Sequence, residues 1–276
     1  MSVLAPSVKI PRLEATGRVA FHRVLRSEWT KLRSVRSTKW SLVAGFLLTI
    51  AFPVIFAFVT RSHWGSMSPG ERADRHPLDI ALAGINVAQL AVAVLGVLLI
   101  SAEYSTGSIR STFTAVPKRL PVLWAKLIDY AVLSFVLILP AVLVSFFASQ
   151  AILRSIQPLQ IAFTQPGVAR SVIGGAVYVM LVGIFALAIG AIVRNTAGGI
   201  ATFAAIFFVL PPLMFTLPTS WNNAISQYLP SEAGRQIFAL HHAAHTLTPL
   251  TGGLVFAAYC AAAIVIAAVL LVRRDV

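Results

Sequence analysis

The chain has 276 residues, of which 58% are hydrophobic and only 11% charged, where a soluble domain carries about 25% charged residues. The apolar residues come in long blocks, which excludes an ordinary soluble domain and predicts a polytopic membrane protein. The net charge of +13 raises nucleic acid as a partner, but the bases flank apolar blocks rather than mark a soluble domain, so no nucleic-acid binding is expected.

Residues 1–17 contain Pro6 and Pro11 and little patterning, and read as a mobile tail. Behind them, "RVAFHRVLRSEWTKLRSVRSTKW" places Phe21, Leu25, Trp29, Leu32 and Val35 on one helical face, with Arg23, Arg26, Lys31, Arg33 and Lys39 over the rest. A basic amphipathic helix beside a membrane span lies in the headgroup layer. It serves there as an anchor, or also as a dock for a cytoplasmic partner. No cleavable leader is expected, because the first apolar block begins near Trp40 and is itself long enough to span.

A spanning helix needs about 20 mostly apolar residues. Six segments qualify: 40–59, 80–102, 122–149, 171–193, 198–217 and 250–272. Their continuous apolar runs predict helices, not barrel strands. Residues 1–39 thus form a cytoplasmic tail with an amphipathic helix, and 40–276 an all-α domain of six spans. In the second span, Asn86 and Gln89 share a face and line a substrate path or bond between helices. The third span holds Pro140, so tilt or a kink is expected. It also carries Asp129, near Lys126, which predicts a local ion pair or a part in transmitting motion. In the fifth, Ala197, Ala201 and Ala205 form a small-residue stripe for close packing, flanked by Phe203, Phe207 and Phe208. Pro211 and Pro212 should break that helix.

The polar segment "EYSTGSIRSTFTAVPKRLP" at 103–121 separates the second and third spans. Ser105 or Thr106 can cap a short helix on which Ile109, Phe113 and Val116 form an apolar stripe, with Pro117 as its stop. About ten residues bury too little to fold alone. The stripe must therefore pack on the membrane domain, on lipid, or in a partner's groove, unless the segment is an ordinary loop. Glu103, at the end of a span, needs a partner or water, and Arg110 and Lys126 are the candidates. Sixteen of the 22 Lys and Arg residues fall on the side of the leader, the 103–121 segment, the 194–197 turn and the C-terminal tail. That bias places both termini in the cytoplasm.

No motif for chemistry survives a screen. A phosphate-cradling loop needs GxxxxGK[ST], and the chain has no Gly-Lys pair. No GxSxG, HExxH or Glu-Glu pair occurs. The single cysteine, Cys260, excludes a disulfide framework and a CxxC site. His241, His242 and His245 are the one histidine cluster. At i and i+4, His241 and His245 can share a helical face, but with no further ligand near in sequence no metal site is expected.

Four stretches in order, "RSEWTKLRSVRSTKW" (26–40), "EYSTGSIRSTFTAVPKR" (103–119), "RNTAGGI" (194–200) and "YLPSEAGRQIF" (228–238), resemble the permease subunits of ABC-2-type transporters, notably those of actinobacteria. The resemblance implies the membrane half of an ATP-driven exporter in a bacterial cell membrane. It also implies a connecting helix in the leader and short re-entrant helices between spans five and six. Residues 106–116 would be a coupling helix that docks a separate ATPase subunit through Glu103, Tyr104, Thr106, Ile109, Arg110, Phe113 and Val116. ATP and Mg would sit on that partner, this chain would bind no cofactor, and a second permease copy would complete the dimer. Spans two and five would line the path, which adds Phe203, Phe207 and Leu210 to Asn86 and Gln89. Two alternatives stand beside it. A secondary transporter needs coupling-ion acids at mid-membrane, and a scaffold or immunity-type protein would move nothing.

Overall fold

The computed structural model describes residues 20–34, 36–116, 118–240 and 245–274. The expected mobile tail, Val35, Pro117, His241 and His242 lie outside them, as does the Arg110 side chain. Among the described residues helix is the only regular structure, and six helices are long and apolar enough to cross a membrane.

Helix α1 (Phe21–Ser34) leads into α2 (Arg36–His63), the first span. After the capped turn of α3 (Pro69–Ala73), the second span is assembled from α4 (Pro77–Leu82) and α5 (Ile85–Ser105). The break between these two falls at Gly84, where α2 comes closest. Pro53 lacks the N–H that would bond the Thr49 carbonyl, and a Cβ on Gly84 would overlap that carbonyl oxygen.

Helix α6 (Ser108–Ala115) is the helix expected over 106–116, shorter by two residues at its start and one at its end. Its cap is not Ser105 or Thr106, whose hydroxyls donate back to the Ala102 carbonyl at 3.0 and 2.9 Å. Gly107 takes that position with φ 70°, the left-handed geometry that ends α5 and turns the chain.

Helix α7 (Leu120–Leu153) runs unbroken through Pro140. Its 34 residues make about 50 Å of helix, longer than a bilayer core of about 30 Å. Helix α8 (Val168–Val193) ends at Arg194, in left-handed geometry, and Asn195 caps α9 (Thr196–Ala204) through a bond from the Gly198 N–H. The two prolines do not stop the fifth span. Pro211 and Pro212 cannot donate to the carbonyls of Phe207 and Phe208. The helix widens to a π turn over Ala205–Val209 and resumes as α10 (Leu210–Leu213) before ending in a 3₁₀ turn at Thr216. Two short helices follow, α11 (Thr219–Ile225) and α12 (Pro230–Arg235), then the last span, α13 (Pro249–Arg273).

The core is built on α5 and α8, joined by α7 and α13. Of the spans, α8 is the most enclosed, with 67% of its apolar window buried, while the fifth has 17%. The stripe Ala197, Ala201 and Ala205 is exposed, and α9 packs instead through Gly199 and Phe203. Outward apolar residues such as Trp40, Val136, Leu254 and Val265 suit a lipid solvent.

Candidate functional site

At one end of the bundle, α1, α6 and the ends of α5 and α7 meet around four charges. Sequence periodicity groups Phe21, Leu25, Trp29 and Leu32 on one face of α1. The buried line is instead Val24, Glu28 and Leu32, while Phe21 is exposed and Leu25 and Trp29 are half-buried. Glu28 turns inward because Lys126 waits for it. Lys126 Nζ donates to Glu28 Oε2 at 2.5 Å and to Glu103 Oε1 at 2.7 Å. Lys31 Nζ donates to Glu28 Oε1 at 2.7 Å, to Glu103 Oε1 at 3.1 Å and to the Thr112 hydroxyl at 3.2 Å.

Burial ranks these bonds. The Lys126 and Glu28 side chains are 3% and 4% exposed, whereas Lys31 is 39% exposed. The Lys126 pair is therefore the one whose breakage strands a charge in a dry site, and Lys31 is partly screened by water. Burial favours a neutral Lys31, yet the hydrogen bond and charge of Glu28 and the charge of Glu103 outweigh it and hold its pKa above the usual lysine value.

Of the two partners expected for Glu103, Lys126 is confirmed, and Lys31 was not foreseen. The expected Lys126–Asp129 pair does not form among the described residues. Lys126 is committed to the two glutamates, and Asp129 Oδ2 is buried without a hydrogen-bond partner.

The apolar stripe of α6 faces this same junction. Ile109 is buried, and Phe113 and Val116 pack half-buried against Val24, Val122 and Ala125. These residues hold α6 on its own bundle, and its outward side carries Ser108, Ser111 and Thr114. Thr106 is exposed and shares a 3.0 Å bond with the Ser108 hydroxyl. Between α1 and α6 lies an open cleft of about 350 Å³ with Arg23, Ser27, Lys31, Ser111 and Thr112 on its walls. Replacing Phe113 with Asp should free α6. Limited proteolysis would then cut within 106–119 much faster than in the unaltered chain, and an unchanged cleavage rate would contradict this packing.

Two arginines tie the junction to the end of α13. Arg119 lies over the Phe113 ring at 5.3 Å and donates to the carbonyls of Leu271 and Arg274 at 3.0 and 2.9 Å. Arg194 lies 5.0 Å over the Tyr104 ring and donates to the Leu270 carbonyl at 3.1 Å. Both satisfy the last carbonyls of a helix, where its dipole favours cations.

The second group of residues lies elsewhere. Gln89 is buried and accepts from the Tyr178 hydroxyl at 2.6 Å, so it bonds between α5 and α8. Asn86 is exposed at the opposite end and accepts from Arg235 Nη2 at 3.4 Å. Phe203 and Phe207 are buried and stacked with centroids 4.4 Å apart, and Phe207 meets Phe185 and Phe256. They pack in the chain's own core, and Leu210 is half-buried nearby in the chain. His245 stands in a turn with φ 62°, and its expected neighbours His241 and His242 lie outside the described residues. No cluster of three metal-ligating side chains occurs among the described residues.

Compared with known proteins, the chain matches no family model and no curated protein.

Proposed function

We propose that this chain is the membrane-spanning permease subunit of an ATP-driven exporter of the ABC-2 type, working with a separate ATPase. The observation that carries the reading is α6, a short helix at the basic end of six spans, tied through Lys31 and Thr112 to Glu28 and Glu103. A push on its outward face would reach α1 through Lys31, and α5 and α7 through Glu103 and Lys126. Glu103 and Tyr104 would then act from the junction, and Ile109, Phe113 and Val116 by seating the helix that also carries Arg110. Ser108, Ser111 and Thr114 would meet the partner.

ATP can drive such a cycle only by favouring one of two states of the assembly. That energy would enter through the ATPase, which holds ATP and Mg. The positive-inside bias supports a cytoplasmic α6 end, and the thinly buried fifth span suits a second copy. A photo-crosslinking residue at Ser111 should capture a chain bearing a Walker A motif, while one at Leu254, on the apolar side of α13, should not. Equal capture from both positions, or capture from neither, would remove α6 as the dock.

A further inference from the structure

The end of the bundle opposite the charge cluster holds a second cavity, of about 480 Å³, between the end of the fifth span, α11 and α12. Its size falls in the range of small-ligand sites. One wall is rigid. Helix α12 buries Pro230, Ala233 and Gly234 and turns Glu232, Arg235 and Gln236 the other way, into the cavity. A Cβ on Gly234 would lie 2.6 Å from the Tyr178 ring, so the helix is seated directly on α8. Across from it, α11 has no buried residue. It presents Asn222 and Asn223, whose carboxamides make no hydrogen bond among the described residues, and Gln227 beside them. Pro211, Pro212 and Phe215 supply the apolar floor, and Phe215 is 79% exposed.

The two charges of the rigid wall are loosely paired. Arg235 Nη1 stands 3.8 Å from Glu232 Oε1, beyond hydrogen-bond range, while Arg235 Nη2 is tethered to Asn86. Each charge thus keeps bonding capacity toward the cavity. We infer that this cavity binds a zwitterionic head in which a phosphate and an ammonium are joined by a short bridge, as in phosphoethanolamine. The phosphate takes the Arg235 guanidinium and the free carboxamides. The ammonium takes the Glu232 carboxylate, and an attached acyl chain lies on the proline and phenylalanine floor. A head of one sign would leave the other wall charge with nothing better than its loose 3.8 Å pairing. The site stands whether or not an ATPase binds the other end.

The test is native mass spectrometry of the full chain in detergent, titrated with phosphatidylethanolamine and, separately, phosphatidylglycerol of the same acyl chains. Phosphatidylethanolamine should bind roughly tenfold tighter, the size of one charge-assisted bond. Glu232→Gln should abolish that preference, and Arg235→Gln should weaken both lipids about equally by removing the phosphate's partner, neither by unfolding the chain. Competition with free phosphoethanolamine separates the sources. Displacement at comparable affinity means that a soluble zwitterion suffices, and weak displacement means that the ligand is a lipid. Equal binding of the two lipids, a preference that Glu232→Gln retains, or unchanged affinity for both lipids in Arg235→Gln would overturn the assignment.

Discussion

Replacing Lys126 with Met should destabilise the folded chain by about 3–5 kcal/mol, the cost of stranding a buried charge. The ammonium of Lys126 contacts both Glu28 and Glu103, and its side chain is 3% exposed. Without it, Lys31 alone faces two carboxylates and still makes its bond to Thr112. Thermal unfolding in detergent measures the loss, and α1 should become protease-sensitive first, since Glu28 is its buried tether. Lys31→Met should cost far less, because that side chain is 39% exposed. Adding Glu28→Gln to Lys126→Met should restore part of the stability by removing one of the stranded charges. A melting shift for Lys126→Met no larger than for Lys31→Met would contradict this ranking.

The second large effect is expected at the seam of α5 and α8. Gly96→Val should cost about 1–3 kcal/mol by overpacking and should lower the yield of folded protein. A Cβ at Gly96 would stand 2.6 Å from the Gly183 carbonyl oxygen and 3.2 Å from the Leu187 nitrogen. Both are backbone atoms of the most enclosed span, so neither can swing aside. Close backbone approach of this kind is what small residues provide between helices in lipid. Gly45→Ala is the matched control, since its Cβ would meet only the Ala91 methyl at an ordinary 3.6 Å. Equal melting temperatures for the two variants would contradict the seam.

The spans were legible because each is one continuous apolar run of the length a bilayer requires. The ends were less so. The second span starts at Pro77, before the run that marks it, because α4 and α5 stack across Gly84. The fifth passes its prolines by widening a turn, which no local pattern announces. At the candidate site, Glu103 and Lys126 could be paired by reading, since both flank one short connection. Glu28 could not. It interrupts the apolar face of α1, and periodicity assigns an acid to water. The available signal was its scarcity: the whole chain has nine acidic residues, and one stands four from Val24 and four from Leu32. The placement of Phe203 and Phe207 in the core was equally hidden, because span five shows apolar residues on every side.

In the proposed reading, α6 and the charges behind it take force from a separate ATPase. The measurement that tests it most directly is purification of this chain from its native membranes in mild detergent, with identification of what accompanies it. A stoichiometric soluble chain with a Walker A motif is expected, and Phe113→Asp should release it. Glu103→Gln should leave membrane insertion intact while lowering ATP turnover of the complex. A chain that purifies alone, even after cross-linking at Ser111, would contradict that reading and favour a transporter or scaffold that needs no ATPase.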